Sequence, residues 1–257
     1  MFDKHQSISS LMKAVVKKIF ALFGLEIRRK IKSRNIEPTN IELPVKTRML
    51  SGFENYHLGC GKIFIDNFLN IDQKVNTLNS EIGNGVNALE FKENNVLEHD
   101  LRHGIPAAPS SLKIIYHSHF LEHLSNEESI VFLRDCLKCL SKGGTMRFAV
   151  PDLELWCREY LSGKPDFFEW YQKTYLGEWW DSSQTKGMTF CGMLYNWGHK
   201  MAYDYESLCA RLLDIGFVDV ERKVWGESER IPSVSTLESP DSQRKIESLV
   251  IECRKPH

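Results

Sequence analysis

The sequence predicts an α/β fold in which a mostly parallel sheet of seven strands carries helices on both faces. From about residue 53, short apolar runs typical of strands alternate with amphipathic segments typical of helices. The chain has 257 residues, of which 42% are hydrophobic and 26% charged, and this is sufficient for one substantial core. We therefore expect one domain over residues 51–257, preceded by a separate segment over residues 1–50.

The N-terminal segment is basic and amphipathic. Apolar side chains recur at three- and four-residue spacing over residues 8–32, which predicts a helix. Residues 1–34 contain nine lysines and arginines against two acidic residues, so this segment carries about +7 in a chain of net charge -1. The helix either lies in the surface of an anionic membrane or packs on its own domain or a partner. Residues 33–50 contain two prolines and are predicted to be a linker.

The α/β pattern can be divided into elements. One helix is predicted over 127–140, capped by Ser125 or Asn126 and closed by Gly143-Gly144, and another over 204–215, closed by Gly216. Residues 152–200, rich in tryptophan and tyrosine, are expected to be an insertion that shapes a pocket, with its aromatic side chains acting either as core or as a stacking surface. The predicted strands are 54–58, 68–72, 96–100, 112–117, 145–150, 218–224 and 249–253.

A glycine loop, Leu58-Gly59-Cys60-Gly61, follows the first predicted strand, and Asp72 and Asp100 end the second and third. The carboxyl ends of parallel strands lie along the same edge of a sheet, so the glycine loop and the two acids should lie there together. This order of a glycine loop followed by two acids indicates a Rossmann-like nucleotide-cofactor site. Asp72 would accept hydrogen bonds from ribose hydroxyls and Asp100 from an adenine amino group, unless both are turn or cap residues. A dinucleotide fingerprint is disfavoured because Phe64 stands where it needs a third glycine.

The motifs in this order resemble a bacterial, type 11-like branch of the class I S-adenosylmethionine-dependent methyltransferases. Two departures are the short spacing from Gly61 to Asp72, which leaves no room for the usual long first helix, and Ile63 in place of a third glycine. The motifs that carry the resemblance are His57-Leu58-Gly59-Cys60-Gly61, Leu69-Asn70-Ile71-Asp72, His99-Asp100-Leu101-Arg102, Ser118-His119-Phe120-Leu121-Glu122-His123-Leu124, Gly143-Gly144 and Val150-Pro151-Asp152.

The resemblance implies S-adenosylmethionine as cofactor. By that resemblance the glycine loop holds its amino-acid part, Asp72 the ribose, Asp100 and Leu101 the adenine, and residues 117–119 line the rim beside the methyl group. The expected cofactor residues are His57, Gly59, Cys60, Gly61, Asp72, Asp100, Leu101, His117 and Ser118.

Methyl transfer to a hydroxyl requires a base, and histidine suits this role near neutral pH. His119 and His199 are the candidates, with Asp152 as an alternative or orienting group. We expect O-methylation of a small-molecule or glycan-type acceptor, and no metal.

Two other functions stay open. His117, His119 and His123 could be the metal ligands of a hydrolase, although Glu122 and His123 could instead cap and pack the following helix. The second is a non-catalytic cofactor-fold protein that binds or scaffolds. Seven scattered cysteines indicate reduced thiols and a cytoplasmic, possibly membrane-peripheral protein, and the net charge gives no drive toward nucleic acid.

We expect liposomes that contain anionic lipid to retain the full chain and to lose it when residues 1–34 are deleted, because the basic helix would supply the contact. Co-sedimentation measures the bound fraction. Equal retention of both forms would refute membrane anchoring through this segment.

Overall fold

The computed structural model of the chain describes residues 52–73, 95–176 and 185–257. The predicted helix over residues 8–32 and the linker after it lie outside the described residues, as do Trp179 and Trp180. Within the described ranges, no helix combines the length and the apolar character needed to cross a bilayer.

The sheet has seven strands in the order β3-β2-β1-β4-β5-β7-β6. Strands β1 to β5 run parallel, and β7 is antiparallel to both of its neighbours. This confirms the predicted Rossmann-like, mostly parallel sheet. The strands are β1 Asn55–Leu58, β2 Leu69–Asp72, β3 Val96–Glu98, β4 Leu112–Ser118, β5 Leu140–Pro151, β6 Val218–Lys223 and β7 Ser248–Arg254.

The described residues form six α-helices and several single turns. The helices are α1 Asn126–Cys139, α2 Leu153–Ser162, α3 Asp166–Tyr171, α4 Lys186–Tyr195, α5 Tyr205–Ile215 and α6 Val234–Leu237. The 3₁₀ turns are Leu101–His103, Leu121–His123, Asn196–Gly198 and Gln243–Ile246, and Gln172–Leu176 is a π-helical turn.

Helices α1 and α5 cover one face of the sheet, where Phe132, Leu133 and Leu212 join the main apolar core. Each such buried side chain contributes roughly 1.5–3 kcal/mol of transfer free energy. The local signals that predicted these helices hold. Ser125 and Glu128 form a capping box at the start of α1, and Gly216, at φ +112°, ends α5 in the left-handed conformation.

The predicted closure of α1 by Gly143-Gly144 was wrong, although the helix ends within one residue of the predicted end at 140. The helix ends at Cys139, and Gly143 and Gly144 lie inside β5, which begins at Leu140. The last carbonyls of the helix are satisfied from elsewhere in the chain: Lys138 O accepts from Ser110 N and Lys255 Nζ, and Cys139 O accepts from Ser111 N. A glycine cap is therefore unnecessary, and Gly143 instead pairs with the backbone of residue 255 and packs against the C-terminal His257.

On the opposite face of the sheet, a fully buried arginine anchors the connection between β6 and β7. Arg147 lies in β5 and forms ion pairs with Glu238 and with Glu252 of β7. The same guanidinium donates to the carbonyls of Val224 and Glu227. This connection, residues 224–247, is thereby fixed against the sheet.

The parallel pair β1 and β2 is joined by only ten residues, 59–68, without a helix. The Asn70 side chain organises this short crossing, because its Oδ1 accepts from Ile65 N and its Nδ2 donates to Ile65 O and Phe68 O. Asn70 Oδ1 also lies 3.1 Å from His57 Nδ1. The spacing had predicted that no long first helix fits, and a buried amide network stands in its place.

Residues 152–200, as far as they are described, build a second apolar cluster around Trp156, which is fully buried in α2. Phe168 and Tyr171 from α3 pack edge-on against its ring, and Met193 of α4 completes the buried cluster. Trp156 is thus a core residue.

Acid is predicted to destabilise the fold through His57. Burial lowers the pKa of this imidazole from 6.5 to about 4, whereas the unfolded chain regains the ordinary value. Protonation therefore favours the unfolded state as the pH falls below 6.5, and the loss is complete near the folded pKa. At pH 5 this amounts to about 2 kcal/mol.

The variant that tests this is His57→Gln. Its side-chain amide keeps a donor toward Asn70 and has no proton to gain in acid. Urea unfolding at pH 7 and pH 5 should show a loss of stability smaller by about 2 kcal/mol than in the unmodified protein. His103→Gln, at an exposed site, should leave the loss unchanged. The same pH dependence in both variants would contradict the assignment.

Candidate cofactor and acceptor site

The glycine loop turns sharply at the end of β1. Gly59 and Gly61 both have positive φ, +66° and +55°. A Cβ on Gly59 would lie 2.4 Å from the Phe120 ring, whereas a Cβ on Gly61 would meet nothing within 4 Å. Gly59 is therefore required by protein packing, and Gly61 borders open space.

A row of polar groups runs from this loop along the carboxyl ends of β1, β2 and β3. Gly61 N donates to Asp72 Oδ2 at 2.8 Å, and Gln73 N donates to Asp72 Oδ1 at 2.7 Å. Gln73 Nε2 in turn donates to Asp100 Oδ2 at 3.4 Å. The predicted cofactor residues Gly61, Asp72 and Asp100 therefore lie side by side on one edge.

Asp100 also caps the following 3₁₀ turn by accepting from Arg102 N, as the alternative interpretation expected. The Arg102 side chain lies on the same carboxylate at 2.6 Å and is the main reason that the pKa of Asp100 falls to about 2. Asp100 is thus a carboxylate at neutral pH, and the neighbouring Leu101 is buried in the core.

Three other predicted cofactor residues have side chains turned into the protein. The His57 ring contacts Asn70 and Tyr116. His117 is fully buried, stacks on Phe148 at 4.7 Å, and both ring nitrogens lack a hydrogen-bond partner among the described residues. Burial lowers the pKa of His117 to about 3 and raises the pKa of the Cys60 thiol to about 12, so both are neutral. Ser118, the last residue of β4, is half-buried.

A cavity of about 240 Å³ opens beyond the ends of β4 and β5. Its lining mixes imidazoles, carboxylates, one guanidinium and aromatic rings. The lining residues are His119, Glu122, His123, Pro151, Tyr171, Tyr175, Trp197, His199, Arg244 and Glu247.

His119 lies where the glycine loop and the cavity meet, directly before the Phe120 that covers Gly59. Its φ of +52° turns the chain out of β4. The Nε2 atom lies 2.7 Å from Ser248 Oγ, and Nδ1 lies 3.5 Å from Glu122 Oε1. Burial holds the pKa of His119 well below its ordinary value, so the ring is neutral.

Glu122 is 1% exposed, yet neither carboxylate oxygen accepts a hydrogen bond from any described residue. Burial raises its pKa to about 8. The proposed capping role in α1 belongs to Ser125 and Glu128 instead. The Glu122 backbone carbonyl accepts from the amides of Lys200 and Met201, which holds the segment after His199 beside this turn.

His123 and His199 meet edge to face, with ring centroids 4.8 Å apart. His199 Nδ1 lies 2.7 Å from Met193 O, and this bond leaves Nε2 for the cavity. The trio His117, His119 and His123 is not a ligand set, because the His117 ring lies in the apolar core.

Asp152, the alternative catalytic residue, lies outside the cavity lining. Its carboxylate caps α2 by accepting from Leu155 N and forms an ion pair with Arg222. The side chain is 5% exposed. These contacts engage it in positioning the start of α2.

Four cavity residues were not found from the sequence: Tyr171 and Tyr175, and Arg244 and Glu247. Burial raises the pKa of Glu247 to about 7, against the opposing effect of Arg244. They reach the cavity from two connections far apart in the chain, and no local motif marks them. A sequence signal was present only for the first pair, in the aromatic composition of residues 152–200.

No family model and no curated protein matches the sequence. Among solved structures, the chain is similar to a SAM-dependent methyltransferase from Archaeoglobus fulgidus, at 14% identity and TM-score 0.45 over 82% of this chain and 91% of that one. It is also similar to a SAM-dependent methyltransferase from Thermotoga maritima, at 11% identity and TM-score 0.43 over 79% of this chain and 82% of that one.

A third similar structure is Haemonchus contortus phosphoethanolamine N-methyltransferase 2, at 12% identity and TM-score 0.41. The match covers 80% of this chain and 49% of that one. The strand order observed here agrees with the class I methyltransferase fold that the sequence resembles.

Proposed function

We propose that this protein is an S-adenosylmethionine-dependent methyltransferase that acts on an oxygen of a small-molecule or glycan-type acceptor. The observation that carries the proposal is that the cofactor edge and the cavity adjoin. The row Gly61, Asp72 and Asp100 ends beside the loop that Phe120 covers, and His119, the residue before Phe120, lines the cavity.

The cofactor edge suits a nucleoside cofactor. Open space beyond Gly61 allows the backbone to be approached closely. Asp72 lies at the carboxyl end of β2 beside Gly61 and would accept hydrogen bonds from the ribose hydroxyls. Asp100, fixed by Arg102, and Leu101 would hold the adenine ring. The side chains of His57 and His117 lie in the core, so these residues would support the edge from below and would not contact the cofactor through their rings.

Bound S-adenosylmethionine would supply an electrophilic methyl group on a sulfonium. The protein must then align an acceptor and remove its proton. We propose that His119 Nε2, which the Ser248 hydroxyl contacts, accepts the proton of the acceptor hydroxyl. Glu122 faces the other ring nitrogen, Nδ1, and would stabilise the charged ring. His199 lines the same cavity and would contact the acceptor side.

The cavity walls favour a hydroxylated acceptor with an apolar face. Tyr171 and the half-exposed Trp197 lie with ring centroids 6.4 Å apart and provide aromatic surface. Arg244 and Glu247 provide polar contacts at the same cavity.

A cytoplasmic location and peripheral contact with anionic membrane through residues 8–34 belong to the same proposal and are supported by sequence alone.

The cofactor proposal predicts that Gly61→Ala weakens S-adenosylmethionine and S-adenosylhomocysteine binding at least tenfold, because the new methyl group would project into the open space beside the loop. Calorimetric titration gives the dissociation constants.

The matched control is Gly163→Ala. Gly163 also has a positive φ, +75°, with nothing within 4 Å of a Cβ, so this substitution introduces the same backbone strain far from the loop. Its binding should equal that of the unmodified protein. Absence of binding in all three proteins would support the non-catalytic scaffold instead, and equal binding in all three would remove the loop from the site.

The base assignment predicts that His119→Gln lowers kcat by about 10² or more, the usual contribution of general-base catalysis, and changes cofactor affinity less than twofold. Turnover is followed as S-adenosylhomocysteine release against a panel of sugars, lipids and small acids. His103→Gln, at an exposed position, is the control. Full activity of His119→Gln on an acceptor that the unmodified protein methylates would exclude this base.

A further inference from the structure

One cluster of potential ligands in the described residues lies inside the cavity. Glu122, His123 and His199 each offer one carboxylate oxygen or ring nitrogen, and these atoms all lie within 4.8 Å of one another. Two come from the Leu121–His123 turn and the third directly follows the Asn196–Gly198 turn. The two turns are tied together, because the carbonyl of Glu122 accepts from the amides of residues 200 and 201.

The Glu122 carboxylate is built for a ligand that the protein does not supply. Its side chain is 99% removed from solvent, it lines the cavity, and both oxygens lack a hydrogen-bond donor among the described residues. Its nearest ion-pair contact, His119 Nδ1, is 3.5 Å away. A buried carboxylate without donors is unfavourable, so such groups occur where a ligand compensates them.

The His199 imidazole is oriented as a metal ligand usually is. A ligating histidine typically donates its second ring N–H to a carbonyl, which fixes the tautomer and the ring plane. His199 does so through Nδ1 to Met193 O at 2.7 Å. The His123 ring packs edge to face against the His199 ring, with centroids 4.8 Å apart. The Nε2 atom of His199 is thereby left for a cation, and one ligand atom of His123 lies within 4.8 Å of those of Glu122 and His199.

We propose that Glu122, His123 and His199 bind one divalent transition-metal cation at the wall of the cavity. Two imidazoles and one carboxylate suit Zn²⁺, Mn²⁺, Fe²⁺ or Co²⁺, whereas Mg²⁺ and Ca²⁺ prefer oxygen ligands alone. Three protein ligands leave coordination positions open, and the cavity lies next to them. The site is distinct from the His117, His119 and His123 trio considered from the sequence.

The metal gives the acceptor a more specific chemistry, a step that rests on the proposed methyltransferase function. An acceptor hydroxyl bound to the cation would lose its proton more readily, and the cavity beside the open coordination positions is where such a hydroxyl would lie. The expected acceptor therefore carries a hydroxyl, with a second oxygen near enough to chelate.

The test uses the full chain after chelator treatment and dialysis, titrated with Co²⁺ alone and followed by calorimetry and visible absorption. We expect one Co²⁺ per chain. The variants are Glu122→Gln and His199→Asn, whose amide keeps a donor toward Met193 O. Each should weaken Co²⁺ binding at least tenfold. The matched controls, Glu98→Gln and His103→Asn at exposed positions, should bind as the unmodified protein does.

Two results would overturn the site: no stoichiometric Co²⁺ binding, or equal binding in both cluster variants, which would place the ion elsewhere. Should a variant fail to fold, the unmodified protein with one bound Mn²⁺ is measured by pulsed EPR. The proposed site requires a signal from imidazole nitrogens coordinated to the ion, and its absence would overturn the site. The titration contains no S-adenosylmethionine, and cofactor binding is measured without metal. Failure of the metal site and failure of the methyltransferase proposal are therefore distinguishable.

Discussion

The Arg147 guanidinium is the constraint on which the cavity depends. A buried charge is tolerated only when its hydrogen-bonding capacity is fully used. Arg147 meets this condition: its five N–H donors reach both oxygens of Glu238, one oxygen of Glu252, and the carbonyls of Val224 and Glu227. Removal of one carboxylate would leave buried guanidinium N–H donors without acceptors, so the three side chains form one unit.

This unit holds the connection from β6 to β7 at three residues, which are Val224, Glu227 and Glu238. The remainder of that connection then leads to Arg244 and Glu247, which line one side of the cavity, and to Ser248, which contacts His119. The opposite edge is fixed by Asn70, which supports the short crossing after the glycine loop. Each half of the site therefore rests on one buried polar network that is satisfied within the protein.

Most of the sheet could be predicted because its signals are local. A strand that ends at glycines or at an acid, and a helix that begins at Ser125 or ends at Gly216, are recognised within a few residues of sequence. The closure of α1 could not be predicted, since its last carbonyls accept from Ser110, Ser111 and, more than a hundred residues away, Lys255. The cavity lining depends on similar long-range contacts, so Arg244 and Glu247 carried no sequence signal.

The aromatic residues of 152–200 illustrate why composition alone left two interpretations open. Trp156 is fully buried and holds α2, α3 and α4 together, whereas Trp197 is 50% exposed and lines the cavity. The two roles are linked through Tyr171, which packs against the Trp156 ring and also reaches the cavity. A rigid aromatic core thus determines where the acceptor-facing rings stand, and the same composition provides both the support and the binding surface.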